Sequence, residues 1–285
     1  MNMKPISFND LSGRVCVITG GAGVLGTEIV KGLASVGVKV AIADINKEVA
    51  DKVAAEIAKE YNATIIGIEA NVLDKESLKK AKAEINEKLG PIEILINGAG
   101  GNHPSATTKV EQMDESSIDK PEDTFYGLQM DGFDKVFALN FKGTLLPTMV
   151  FTTDMLKAKK GVVLNISSMN SYRPLTKIPA YSAAKASINN FTEWIAVHLA
   201  KVGIRVNAIA PGFFITNQNR FLVLDEKTGG FSPRGQKIVN NTPMGKFGEP
   251  KDLQGATLFL LSDVSSFVTG IVIPIDGGYS AFGGV

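Results

Sequence analysis

Cysteine occurs once in these 285 residues, tryptophan once and histidine twice. A lone Cys16 excludes an internal disulfide framework, and its place in an apolar, strand-like run marks it as a core residue rather than a thiol nucleophile. No clustered set of His, Cys and carboxylate residues is present, so no catalytic metal is expected. An excess of one charge is missing too. Thirty Lys+Arg against 29 Asp+Glu leave a net charge of +1 with no basic block, which argues against nucleic acid as a partner. No apolar run approaches the roughly 20 residues needed to span a bilayer. Residues 1–10 are polar and lack the apolar stretch of a secretory signal. What remains is a soluble, cytoplasmic globular protein, 44% hydrophobic and 21% charged, with enough apolar residues for a substantial core.

Short apolar runs alternate with helix-period segments almost throughout. Strands are expected at 14–19, 39–43, 64–69, 92–96, 161–167, 204–209 and 271–275, and helices at 24–36, 46–60, 75–89, 131–157, 180–201 and 251–261. This rhythm means βαβ crossovers and an α/β fold: a doubly wound, Rossmann-type parallel sheet of seven strands with helices on both faces. No shift in composition suggests a linker, so residues 1–285 read as one domain. Two long polar segments, 101–130 and 212–248, interrupt the alternation. Both follow strands and should emerge at the carboxyl edge of the sheet, where open α/β folds bind ligands.

The first strand runs into Thr19-Gly20-Gly21-Ala22-Gly23-Val24-Leu25-Gly26. Gly21-x-Gly23-x-x-Gly26 satisfies a dinucleotide-binding pattern in its required place between strand and helix. Glycines permit the turn and a close approach of backbone to a pyrophosphate, and the helix start offers free N–H groups and the positive end of its dipole. Asp44 ends the second strand roughly 20 residues on, where a carboxylate can bond the adenosine ribose hydroxyls and repel a 2′-phosphate. No arginine stands near it. NAD(H) is therefore expected over NADP(H). The competing role for Asp44 is to cap the next helix.

Tyr181-Ser182-Ala183-Ala184-Lys185 opens an apolar helix with a phenol and an ammonium on one face. A nearby positive charge favours phenolate and suits general acid–base work. Alone, the pair is better read as part of an amphipathic surface helix. Its setting decides otherwise. In order along the chain stand the glycine loop, Asn97-Gly98-Ala99-Gly100 after the fourth strand, Asn140 in Ala138-Leu139-Asn140, Ser167-Ser168 after the fifth, the Tyr181/Lys185 pair, Pro211-Gly212-Phe213-Phe214-Ile215-Thr216, and Asp276-Gly277-Gly278 after the last strand. Over nearly its whole length the sequence thus resembles the short-chain dehydrogenase/reductase family.

That resemblance implies a catalytic set. Ser168 would hydrogen-bond the reacting oxygen, with Ser167 belonging to the strand end. Tyr181 would be the acid–base. Lys185 would lower its pKa and hold the nicotinamide ribose, and Asn140 would anchor a water leading from the lysine to solvent. Cofactor contacts are implied for Gly20, Gly21, Gly23, Val24, Leu25, Gly26, Asp44, Asn71, Val72, Asn97, Ala99, Gly100, Pro211, Gly212, Phe214 and Thr216, besides Tyr181 and Lys185. Three positions depart from the family. Val24 stands where a glycine is usual, so that Gly23 is expected to take over the turn. Asn71 replaces an aspartate that contacts adenine, and Gly98 replaces an asparagine. Family members usually form tetramers that pair the helices here at 131–157 and 180–201, so a homo-oligomer, tetramer or dimer, is expected. The apolar tail 279–285 could reach a neighbouring subunit.

For substrate, the segments beside the reacting centre carry Asn102, His103, Asn170, Arg173, Asn217 and Arg220. Amides suit hydroxyls, and a guanidinium fork suits a carboxylate. The composition points to a polyhydroxylated acid, although either arginine could instead be solvated or paired and His103 could merely cap a turn before Pro104. Gly100-Gly101-Asn102-His103-Pro104, the Pro211–Arg220 stretch and the ending at 280–285 resemble the D-mannonate oxidoreductase (fructuronate reductase) group. This implies NAD(H)-linked interconversion of D-mannonate and D-fructuronate. A gluconate 5-dehydrogenase-like polyol or sugar-acid enzyme is the first alternative. A non-catalytic NAD-binding regulator is the second, and retention of both Tyr181 and Lys185 speaks against it.

Overall fold

Runs rich in Val and Ile pair edge to edge into one parallel sheet in the computed structural model, which describes residues 6–216, 220–225 and 229–284. The strands are β1 (Val15–Thr19), β2 (Lys39–Asp44), β3 (Ile65–Glu69), β4 (Ile94–Asn97), β5 (Gly161–Ile166), β6 (Ile204–Pro211) and β7 (Val272–Ile275). Their spatial order is β3-β2-β1-β4-β5-β6-β7, every pairing parallel. Among the described residues the helices are α1 (Val24–Ser35), α2 (Lys47–Tyr61), α3 (Lys75–Lys88), α4 (Met130–Phe137), α5 (Gly143–Ala158), α6 (Pro179–Leu199), α7 (Arg220–Val223), α8 (Pro233–Asn240) and α9 (Asp252–Leu261).

The period-2 alternation of strand side chains makes two cores. Cys16 and Ile18 of β1, with Val40 and Ile42 of β2, pack against Ile29 and Leu33 of α1, Ile57 of α2 and Leu253 of α9. Val15, Val17, Ala41 and Ala43 pack the other way, against Leu78 and Ile85 of α3, Phe151 of α5 and Phe191 of α6. Burial on both faces is why the strands read as unbroken apolar runs. Cys16 is buried, and desolvation pushes its thiol pKa up, as befits a core residue. Strand order reverses between β1 and β4, so the chain segments that follow them part at the carboxyl edge and open a crevice there.

Three expected outlines change. The helix expected at 131–157 is interrupted: α4 passes through a π-helical turn, Ala138–Lys142, before α5. Asn140 in that turn donates to the Val136 carbonyl (2.8 Å) and the Gly101 carbonyl (2.7 Å), a side-chain grip that competes with the regular ladder. The 101–130 segment is not a bare loop but a series of 3₁₀ turns, Pro104–Ala106, Glu115–Ser117, Pro121–Asp123 and Phe125–Gly127. The 212–248 segment carries α7 and α8 around a small core of Val223, Ile238 and Phe247. No helix among the described residues is long and apolar enough to cross a membrane.

Candidate active site

The glycine loop turns at Gly20. Its φ is +65°, and its N–H donates to the Ala43 carbonyl (2.8 Å). This corrects the expectation for Gly23, which sits at φ −71° as the N-cap of α1 and makes no left-handed turn. Val24 is therefore an ordinary first residue of the helix, and its departure from the family pattern costs the turn nothing. Gly26 is glycine for a steric reason, since a Cβ there would stand 2.7 Å from the Gly20 carbonyl oxygen. Thr19 Oγ1 accepts the N–H groups of Gly98 (3.1 Å) and Ala99 (3.3 Å), which ties the loop after β4 to the end of β1. Asp44 accepts the Asn46 N–H through Oδ1 (3.2 Å), but α2 is capped by Asn46, whose Oδ1 accepts the Val49 N–H (3.1 Å). The capping role considered for Asp44 thus falls to its neighbour.

These elements wall a cavity of about 450 Å³. One end is lined by Gly20, Gly23, Val24, Leu25, Gly26 and Asp44, the other by Gly98, Ala99, Gly100, Ser168, Tyr181 and Lys185, with Pro211, Gly212 and Thr216 beside them. A glycine edge, a helix start with no side-chain cap and a carboxylate at the far strand end fit the pyrophosphate and ribose of a dinucleotide. Five residues expected here do not line the cavity. Gly21 faces the strands, where a Cβ would meet Ile18 Cγ2 at 2.7 Å. Asn71 turns its Oδ1 back to the Leu73 N–H (3.0 Å), and Val72 is buried facing Gly143. Asn97 donates to Thr148 Oγ1 (2.9 Å) and Asn165 Oδ1 (2.8 Å) in a buried polar ladder. Phe214 is buried in the core facing Gly248.

At the other end, β5 delivers Ser168 and the first turn of α6 delivers Tyr181. Ser168 Oγ accepts the Asn170 N–H (3.3 Å) and lines the same cavity as the Tyr181 phenol. Lys185 is buried one turn on, with Nζ 5.6 Å from the Tyr181 ring centroid and donating to the Ile166 carbonyl (2.8 Å). Burial pushes the Tyr181 phenol pKa up, with the Ser168 hydroxyl pulling the other way. Burial also lowers Lys185, to about 8. The lowering of the tyrosine expected from Lys185 is therefore absent in this geometry: the ammonium is turned to a backbone carbonyl, and desolvation of the phenol outweighs the rest. Asn140 is fully buried, with Oδ1 accepting the Gly101 N–H (3.2 Å) while Nδ2 holds the Gly101 carbonyl. Its backbone carbonyl accepts Thr144 Oγ1 (2.8 Å). The residue clamps the loop that passes over Lys185. Ser167 packs beneath, donating to Asn189 Oδ1 and to the Lys185 carbonyl.

The expected substrate residues scatter. Asn102 is exposed and donates to Thr107 Oγ1 (2.9 Å). His103 caps the turn at Pro104, its Nδ1 2.7 Å from Ser105 Oγ and accepting the Ser105 N–H. Asn170 is buried within a 3₁₀ turn, and Arg173 donates through Nε to the Ser280 carbonyl (3.1 Å). None of these four, nor Arg220 at the start of α7, lines either large cavity at the carboxyl edge. Asn217 lies outside the described residues. A second cavity, of about 400 Å³, is walled instead by Glu111, Lys177, Phe213, Arg234, Lys237 and Tyr279 among others. Arg234 and Lys237 were not legible in the sequence because 212–248 carried no recognisable helix; Ser232-Pro233 before Arg234, a cap followed by proline, was the available signal.

A family model described as enoyl-(acyl carrier protein) reductase matches residues 20–280. An uncharacterized oxidoreductase of Bacillus subtilis is 48% identical over 284 residues, covering 99% of this chain and 100% of that protein. The crystal structure of a provisionally assigned D-mannonate oxidoreductase from Haemophilus influenzae, with bound NAD, is similar with a TM-score of 0.91 and 48% identity, over 97% of this chain and 98% of that one. A gluconate 5-dehydrogenase from Burkholderia cenocepacia, in complex with NADP and tartrate, is similar with a TM-score of 0.80 and 27% identity, over 96% and 98% of the two chains. With the glycine turn, the tyrosine–lysine helix and the seven-stranded parallel sheet in place, the chain belongs to the short-chain dehydrogenase/reductase family of oxidoreductases.

Proposed function

We propose that the protein interconverts a secondary alcohol and a ketone on a sugar acid, D-mannonate and D-fructuronate, with NAD(H). The observation that carries the reading is that Ser168, Tyr181 and, one turn on, Lys185 line the same cavity as the glycine turn and Asp44. When bound, NAD(H) supplies or accepts the hydride. The residues that would hold it are Gly20, Gly23 and Gly26 at the pyrophosphate and Asp44 at the adenosine ribose, whose carboxylate favours two free hydroxyls over a 2′-phosphate.

The remaining work belongs to the chain. In the oxidative direction Tyr181, as phenolate, takes the hydroxyl proton while Ser168 holds the oxygen in place. In the reductive direction the phenol returns that proton to the carbonyl oxygen. The upward pull of burial on Tyr181 keeps the proton available for reduction near neutrality, and Ser168 offsets part of it. Lys185 presents its ammonium beneath Gly100, where it can hold the nicotinamide ribose. Asn140 keeps Gly101, and so the roof over the lysine, in position. Support for a sugar acid comes from the likeness to the Haemophilus influenzae and Burkholderia cenocepacia proteins and from the cations Lys177, Arg234 and Lys237 in the lining of the second cavity. We also propose a homo-oligomer paired through α5 and α6, whose outer surfaces expose Met149, Trp194 and Val197.

The test is a substrate panel: D-fructuronate, 5-ketogluconate and simple ketoses with NADH or NADPH, and D-mannonate, gluconate and polyols with the oxidised cofactors. Fastest turnover of D-fructuronate with NADH is expected. Preference for 5-ketogluconate would reject the substrate, and equal use of NADPH would reject the role given to Asp44.

A further inference from the structure

We infer that Arg234, assisted by Lys177 in the wall of the same cavity, captures the substrate carboxylate and so makes the enzyme select sugar acids over neutral polyols. The inference rests on the sugar-acid reading above. The second cavity draws its walls from the segments after β4 (Glu111), β5 (Lys177, Ile178), β6 (Phe213, Arg234) and β7 (Tyr279), the strand ends that also flank the catalytic end of the first cavity. Ile178 is the N-cap of α6, shortly before Tyr181, and Phe213 of the second cavity directly follows Gly212 of the first, so chain neighbours line the two cavities. A chain-like substrate reacting at Tyr181 can therefore extend its far end into the second cavity.

The charge there is unbalanced. Lys237 pairs with Glu111, the acidic residue of the lining. That leaves Arg234 and Lys177, whose side chains make no hydrogen bond or ion pair among the described residues, although both act electrostatically on Glu111. Arg173, one of the two arginines that the sequence offers, is already committed to the Ser280 carbonyl. Arg234 is held in a defined place. Ser232 Oγ accepts the Gly235 N–H (3.1 Å) at the start of α8, and Gly235 sits where a Cβ would be 2.1 Å from the Val223 carbonyl oxygen. Ile238 and Phe213 of the same cavity pack in the small apolar core beneath the helix. Lys177 is held in a left-handed backbone, φ +73°, with its carbonyl accepting the Thr108 N–H (2.9 Å). That conformation is costly for a residue with a Cβ and is tolerated where its surroundings enforce it. A planar fork suits a carboxylate, because its two parallel N–H donors match the two oxygens.

The test compares the full-length wild type with Arg234→Gln and Arg234→Lys by steady-state kinetics on D-fructuronate, and on D-fructose as its neutral counterpart. For Arg234→Gln, KM for the acid should rise about tenfold to a hundredfold, the range expected for loss of a charge-assisted hydrogen-bonded pair. Its kcat and its rate with the neutral ketose should change little, and Arg234→Lys should recover part of the loss. Unchanged KM for the acid, or equal losses on acid and neutral ketose, would overturn the assignment of Arg234. A wild type that turns over neutral ketoses or polyols but no sugar acid would instead reject the underlying function, so the two failures are distinguishable. The exposed position of Arg234 leaves folding unaffected, and an unchanged Tm verifies this.

Discussion

Lys185→Met should abolish turnover and yet make the protein more stable at neutral pH. Burial brings the lysine from the ordinary 10.5 down to about 8. At roughly 1.4 kcal/mol per pH unit, its charged form costs the folded state about 3 kcal/mol at pH 7. Methionine removes that cost at similar volume. It also strips the Ile166 carbonyl of its donor (2.8 Å). Ile166 borders the cavity, where water can substitute, so this loss is about 1 kcal/mol. The net gain is about 2 kcal/mol, or roughly 3 °C in Tm for a chain of this length. Its pH dependence is the sharper signature. Between pH 8 and 10.5 the unfolded lysine keeps a proton that the folded one has released, so the wild type gains stability as pH rises through this window. The variant has no such gain. Melting both proteins from pH 7 to 10.5 should show the advantage of the variant shrinking, then reversing by about 1 kcal/mol. A gap that stays constant with pH, or a variant that melts below the wild type at pH 7, would refute the reasoning.

Three further outcomes are expected. In Ser168→Ala the hydroxyl that opposes the burial shift of Tyr181 disappears; the pH at which alcohol oxidation reaches half its maximum should move upward, with a drop in kcat of about a hundredfold or more, and an unmoved profile would exclude Ser168 from tuning the phenol. Asp154 joins α5 to α3 and to the segment before β4 by accepting from Lys82 (2.6 Å), Asn86 (3.0 Å) and the Ile92 N–H (3.3 Å). Burial alone would raise its carboxyl, but these bonds hold it below the ordinary value, so it stabilises the fold above the usual carboxylate range and that stability is lost as pH falls through its lowered pKa. Asp154→Ala should cost about 3 kcal/mol at pH 7 in urea titrations and less in acid, since it leaves a half-buried lysine unpaired. Trp194 stacks on His198 with ring centroids 4.9 Å apart yet remains 58% exposed on α6; Trp194→Glu should shift the protein to a smaller species in light scattering, and an unchanged mass would remove α6 from the proposed interface.

The parts of this molecule that could be read in advance are those whose cause is local. A strand buried on both faces must be apolar throughout, so the sheet was legible. Tyr181 and Lys185 share a face because helix geometry requires it, and Ser168 reaches them because β5 ends there. The direction in which each side chain points is another matter. Lys185 donates to Ile166 across two elements, and Arg173 is taken by Ser280, a partner 107 positions away. Arg234 is brought to the second cavity by a helix whose own apolar support, Val223, Ile238 and Phe247, is spread across an otherwise polar segment. Spacing alone could not choose between these arginines, because the choice is made by carbonyls and cavities that exist only after the chain closes.

Position 100 shows the limit most clearly. Gly100 resembled one more glycine of a cofactor loop, and nothing local demands it, since its φ is not in the left-handed region. In the folded chain a Cβ there would stand 2.7 Å from Asn140 Oδ1 and 3.1 Å from Lys185 Nζ. Asn140 cannot withdraw, because its amide is bonded to Gly101 and Val136 within the π-helical turn, and Lys185 is bonded to Ile166. The missing side chain is therefore required by three segments meeting at one point, the loop after β4, the break between α4 and α5, and α6. The same meeting accounts for the break in the predicted helix: the π turn sets Asn140 where it can grip the loop and leave space above the lysine. One local irregularity and one absent methyl group thus form a single arrangement that holds a buried ammonium at the catalytic end of the cavity.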